Sequence, residues 1–97
     1  MGQYMVEIKF SSDFSPEFMA LIPKQRAHVN EAMQTNVISS YILSLERAKL
    51  WVVVNKETEE DTAEVIEDFP MIDYFTYDMY SLTFNNQVVA LPHISLN

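Results

Sequence analysis

A chain of 97 residues, 48% apolar and 21% charged, is long enough for one compact domain and too hydrophobic to stay unfolded in water. It contains no cysteine, which excludes disulfides, thiolate metal sites and cysteine nucleophiles and suits a reducing compartment. Fourteen acids against six bases give a net charge of -8, and such a balance repels a phosphate backbone, so no nucleic acid is expected as a partner.

Tyr4, Val6, Ile8 and Phe10 alternate with Met5, Glu7 and Lys9, the period of a strand with one buried face. Ser11-Ser12-Asp13 supplies a turn, and Ser15-Pro16-Glu17 places a hydroxyl cap, a first-position proline and an acid at a helix start. Phe18, Leu21, Ile22, Val29 and Met33 continue at helical spacing, and Pro23 is expected to kink or split this helix about two turns in, giving a short piece followed by a longer one. Asn36 takes the left-handed position that ends it. Residues 38 to 45 and 50 to 55 then read as two strands of a hairpin across Glu46-Arg47-Ala48-Lys49. Thr58-Glu59-Glu60-Asp61 opens a second helix with Ala63, Ile66 and Phe69 on one side, Pro70 stops it, and Tyr77 to Phe84 makes a fourth strand.

The order strand, helix, strand, strand, helix, strand predicts an α+β, ferredoxin-like βαββαβ domain, a four-stranded antiparallel sheet with two helices on one face. One domain spans 1 to 97, with its core at about 4 to 84 and a tail from 85 to 97 that is apolar at Val88, Val89, Ala90, Leu91 and Ile94. The bare sheet face asks for a cover, and a second copy related by a twofold axis provides one, so a homodimer or larger homo-oligomer is expected. The tail is expected to lie on a surface, either as an added edge strand or across a neighbouring subunit. Met1 to Val6 lacks the basic region and long apolar run of an export signal. The longest uncharged apolar run, Leu50 to Val54, falls far short of the roughly 20 residues that cross a bilayer. No membrane partner and a cytoplasmic location are expected.

Glu7 and Lys9 share the strand face opposite Val6 and Ile8, where a carboxylate near an ammonium either forms an ordinary ion pair or, in a cleft, works as acid or base. His28 and His93 are the two imidazoles, without the His-Glu-x-x-His spacing, so no metal is expected. Gly2 is the single glycine, which excludes a glycine-rich phosphate loop. Seven of the acids fall between Glu57 and Asp68, on a solvated helical face rather than in a calcium loop. Trp51, Tyr74, Phe75, Tyr77 and Tyr80 build core and subunit contacts or wall a pocket in which Asp73, Tyr74, Ser40 and Ser44 orient a small ligand.

The segment Asp68-Phe69-Pro70-Met71-Ile72-Asp73-Tyr74-Phe75 resembles the Leu-Pro-Leu-Phe-Pro-Tyr-Met segment before the last strand of the muconolactone isomerase family. Pro70 and Tyr74 match, Asn36 stands where that family usually has glycine, and the resemblance spans roughly residues 4 to 84. It implies a dimeric α/β barrel of ferredoxin-like subunits, often in larger rings, and a reaction that moves a proton between carbons of a lactone with no cofactor. Gln25 stands where the family carries a glutamate, Ser39, Ser40 and Ile42 replace basic and indole side chains, and Asn85-Asn86 replaces a histidine-proline pair. The leading reading is a homo-oligomer that binds a small organic molecule in a dimer-interface cleft, with Lys9, Gln25, Ser40, Ser44 and Trp51 as ligand-binding residues. One alternative is a cofactor-independent isomerase of a small lactone or organic acid, with Glu7 or Asp73 as base and Tyr74 as hydrogen-bond donor. Another is an assembly protein without a ligand.

Overall fold

Tyr4, Val6, Ile8 and Phe10 form the inner side of β1 (Tyr4–Phe10) in the computed structural model, which describes residues 2–11 and 14–86. Val6 and Ile8 are wholly buried and Lys9 is exposed, so strand alternation converts directly into a core face and an outer face. The turn residues Ser12 and Asp13, His93 and most of the C-terminal tail lie outside the described residues.

Helix α1 (Pro16–Gln34) starts where the capping chemistry places it: the Phe18 amide donates to Ser15 Oγ at 3.1 Å, and Pro16 takes a position that needs no amide hydrogen. The expected break at Pro23 does not occur, and α1 continues through it as one helix. An interior proline costs roughly 3 kcal/mol, while full burial of a Phe or Val side chain is worth roughly 1.5–3 kcal/mol each. Phe18 before the proline and Val29 after it are both buried against the same sheet, which outweighs the lost bond, and the Pro23 ring lies in solvent. The buried stripe also differs from the expected one, since Met33 is exposed and Gln25 is buried. The helix closes in a Schellman motif: Asn36 at φ 64° donates to the Met33 carbonyl, and Val37 donates to that of Ala32 at 2.8 Å.

Strands β2 (Ile38–Ser44) and β3 (Lys49–Val54) form the hairpin, its turn at Leu45 to Ala48. Ala48 sits at φ 53°, a conformation that favours glycine. Helix α2 (Glu59–Glu67) is capped by Thr58 Oγ1, which accepts from the Asp61 amide at 3.1 Å, and three acids occupy its first turn. Phe69 is buried just beyond the end of α2, and Thr62 joins Ile66 on its inner side.

A one-turn 3-10 helix, Ile72–Tyr74, leads into β4 (Phe75–Ser81), which begins and ends earlier than expected. Its length is set by its partner, because Phe10 pairs with Phe75 and Tyr4 with Ser81, which leaves Phe84 beyond the sheet and exposed. The sheet order is β2-β3-β1-β4 with every neighbouring pair antiparallel, the ferredoxin-like arrangement. Val6, Ile8, Leu50, Val52 and Val54 pack with Phe18, Val29, Ile66 and Phe69 into the core between sheet and helices. Among the described residues no helix is long and apolar enough to cross a membrane.

Candidate functional site

Strand β2 reaches the site through an irregularity. Ile38 pairs with Val54, but Ser40 pairs with Val53 and Tyr41 with Val52, so one extra residue is inserted at Ser39. Were Ser39 paired in regular alternation instead, Ser40, Ile42 and Ser44 would share the inner side with Ile38. The bulge reverses that parity and sends Tyr41 and Leu43 inward, opposite Val52 and Leu50. Ser39 Oγ is itself buried with no hydrogen-bond partner among the described residues.

Tyr41 and Leu43 thereby form one wall of a cavity of about 450 Å³ between α1 and the hairpin end of the sheet. Phe18, Ile22 and Gln25 of α1 line it from one side, with Leu50 and Ala48 from the other. Phe14, Met19, Leu43 and Leu45 stand around it and are 53%, 53%, 52% and 82% exposed, a concentration of apolar surface left in water. Three polar side chains interrupt the lining: Gln25, Arg26 and Tyr41. No acid and no histidine lines it among the described residues.

The polar corner is ordered by hydrogen bonds. The Met71 amide donates to Gln25 Oε1 at 3.2 Å, which fixes the orientation of the buried amide, and Gln25 Nε2 then donates to the Tyr41 hydroxyl oxygen at 3.2 Å. Burial raises the Tyr41 pKa above its ordinary value, outweighing the opposing effects of the Gln25 bond and the Arg26 charge, so the phenol keeps its proton. Arg26 has no ion-pair partner among the described residues.

The residues singled out from the sequence do not converge on this cavity, apart from Gln25. Ser40, Ser44, Trp51, Glu7 and Lys9 all occupy the opposite, open face of the sheet. There Glu7 pairs with Lys49 at 3.1 Å, an ordinary ion pair between partly exposed groups, while Trp51 lies between Ile42 and Glu7 in register. Asp73 is exposed on the 3-10 turn, and Tyr74 packs edge-on against Phe18, ring centroids 5.4 Å apart. A single copy therefore does not gather Asp73, Tyr74, Ser40 and Ser44 around one ligand. Tyr41 is the residue that sequence reading missed, and its signal was present: Ser40, Ile42 and Ser44 on one strand face leave Tyr41 and Leu43 on the other.

Comparison with protein-family models and with curated proteins finds no match to this chain.

Proposed function

We propose that this protein binds a small, largely apolar organic molecule in the cavity between α1 and the β2–β3 hairpin. The observation that carries this reading is the cavity itself. Its 450 Å³ falls within the roughly 300–1,000 Å³ range of small-molecule sites, and it combines an apolar lining with a few fixed polar groups. The site lies within one chain, on the far side of the sheet from the interface cleft suggested by the resemblance to muconolactone isomerases.

The same proposal includes a homodimer joined through the open sheet face. Ile42 and Tyr80 are 54% and 51% exposed there, beside the partly exposed Met5 and Trp51, which is apolar surface that a second sheet would cover. Binding rather than catalysis is the better-supported activity, because neither Glu7 nor Asp73 reaches the cavity and, among the described residues, its lining supplies no group able to take a proton from carbon.

The test is fluorescence of anilinonaphthalene sulfonate with the folded protein. Enhancement is expected with the unaltered chain and should be lost in Leu43→Glu, which places a carboxylate at the mouth, on an exposed position, against the anionic dye. Equal enhancement by both proteins would remove the cavity as the binding site.

A further inference from the structure

We propose that the molecule taken into this cavity is an amphiphilic acid, an apolar chain or ring system whose carboxylate is received by the Tyr41 hydroxyl and the Arg26 guanidinium. This rests on the cavity being a binding site and adds the chemical class of its occupant.

The class follows from which way the hydrogen bonds run. A main-chain N–H can only donate, so the Met71 amide requires the oxygen of the Gln25 side chain, and the nitrogen is left to face Tyr41. The Tyr41 oxygen is thus an acceptor toward Gln25, and its own hydrogen has no acceptor among the described residues. Arg26 adds a second donor with a full positive charge and no ion-pair partner among those residues. Every polar side chain of the lining therefore has a hydrogen to offer, and among the described residues no carboxylate lines the cavity to answer them. A ligand group that only accepts, and that carries negative charge, completes the set.

The remaining surface sets the rest of the molecule. Phe18, Ile22, Leu43 and Leu50 give hydroxyl-rich ligands such as sugars nothing to bond with, and stranded hydroxyls would count against them. With a net charge of -8 the protein repels anions at a distance, so the apolar body supplies most of the affinity and the carboxylate supplies the choice of head group.

The experiment compares three probes that share one tail, decanoate, decanol and decylammonium, each used below its micelle concentration at neutral pH. Displacement of anilinonaphthalene sulfonate from the full chain gives the affinities. Decanoate is expected to bind at least about tenfold more tightly than decanol, the scale of one charge-assisted hydrogen bond, with decylammonium weakest. Tyr41→Phe and Arg26→Gln should each bring decanoate toward the decanol value and leave decanol unchanged. Decanol binding as tightly as decanoate, or a preference for decanoate that survives both substitutions, would overturn the head-group assignment and leave the cavity as an apolar site. Failure of all three probes to displace the dye would overturn the binding reading together with it.

Discussion

Tyr77 on β4 donates its hydroxyl to Glu67 in the last turn of α2 over 2.7 Å, tying the edge strand to the helix beside it. Partial burial, then the bond to Glu67 and its charge, push the Tyr77 pKa from 10.0 up to about 12. The folded state thus holds this proton more tightly than the unfolded chain does. Its contribution to stability is full below pH 10 and is lost as pH rises through about 12. Tyr77→Phe should cost about 0.5 kcal/mol at neutral pH, the low end for an exposed bond, and should flatten the alkaline decline. Chemical denaturation across the alkaline range checks both.

Ala48 offers a test of backbone strain. A left-handed φ of 53° costs an L-residue roughly 1–2 kcal/mol, whereas the methyl group that glycine would lack is only half-buried and worth less than about 0.8 kcal/mol. Strain wins, so Ala48→Gly should stabilise the fold by about 0.5–1 kcal/mol. For a domain of this size that raises Tm by about 2–6 °C. The turn's own bonds survive the change, because the Ala48 amide donates to Leu45 and its carbonyl accepts from Phe10 through main-chain atoms. Thermal unfolding measures the shift.

The buried amide at the cavity corner predicts an asymmetry between two substitutions. Gln25→Leu keeps the volume roughly but leaves the Met71 amide without its acceptor, which should cost about 1–3 kcal/mol. Tyr41→Phe removes only the acceptor of a Gln25 nitrogen that sits near the cavity, where water can replace it, and should cost about 1 kcal/mol or less. Urea denaturation of the two variants should rank them in that order, and the reverse ranking would mean that Gln25 is held by Tyr41 rather than by Met71.

At Ile42 stability and association can be separated. In an isolated subunit Ile42→Glu changes an exposed position and should alter stability by no more than about 0.5 kcal/mol. In a dimer closed over the sheet it buries a charge and should weaken association at least about tenfold, a loss of about 1.4 kcal/mol. Sedimentation equilibrium over a range of concentrations distinguishes the cases.

Thr58, the cap of α2, and Thr62 within it stand four residues apart with different consequences. Thr58→Ala removes the cap on the Asp61 amide and should cost about 1 kcal/mol. Thr62 is wholly buried, and its hydroxyl donates at 2.9 Å to the Thr58 carbonyl, which already accepts the Thr62 amide. Thr62→Val therefore strands nothing, and its effect on the urea midpoint should be smaller than that of Thr58→Ala.

Element order was legible because β1 has a clean period of two, Ser15 and Thr58 cap their helices, and Asn36 ends α1 by accepting a left-handed backbone. The continuity of α1 through Pro23 was not, because it depends on packing against a sheet that local sequence does not describe. Gln25 could be singled out only through the family resemblance, since its hydrogen-bond partner Met71 lies 46 residues away. The start of β4 was misjudged because its ends are dictated by β1 rather than by its own composition. Serines on an apolar strand suggested space or water on their own side; in the structure they lie on the open sheet face, while the phenol between them faces the cavity.

Ser39 gives pairing, rather than side-chain chemistry, control over what this edge ribbon presents. Deleting that single residue would straighten the ribbon and keep the phenol inward, opposite Val52; drawing it into regular register would instead exchange a phenol for serines on the surface that meets the helix.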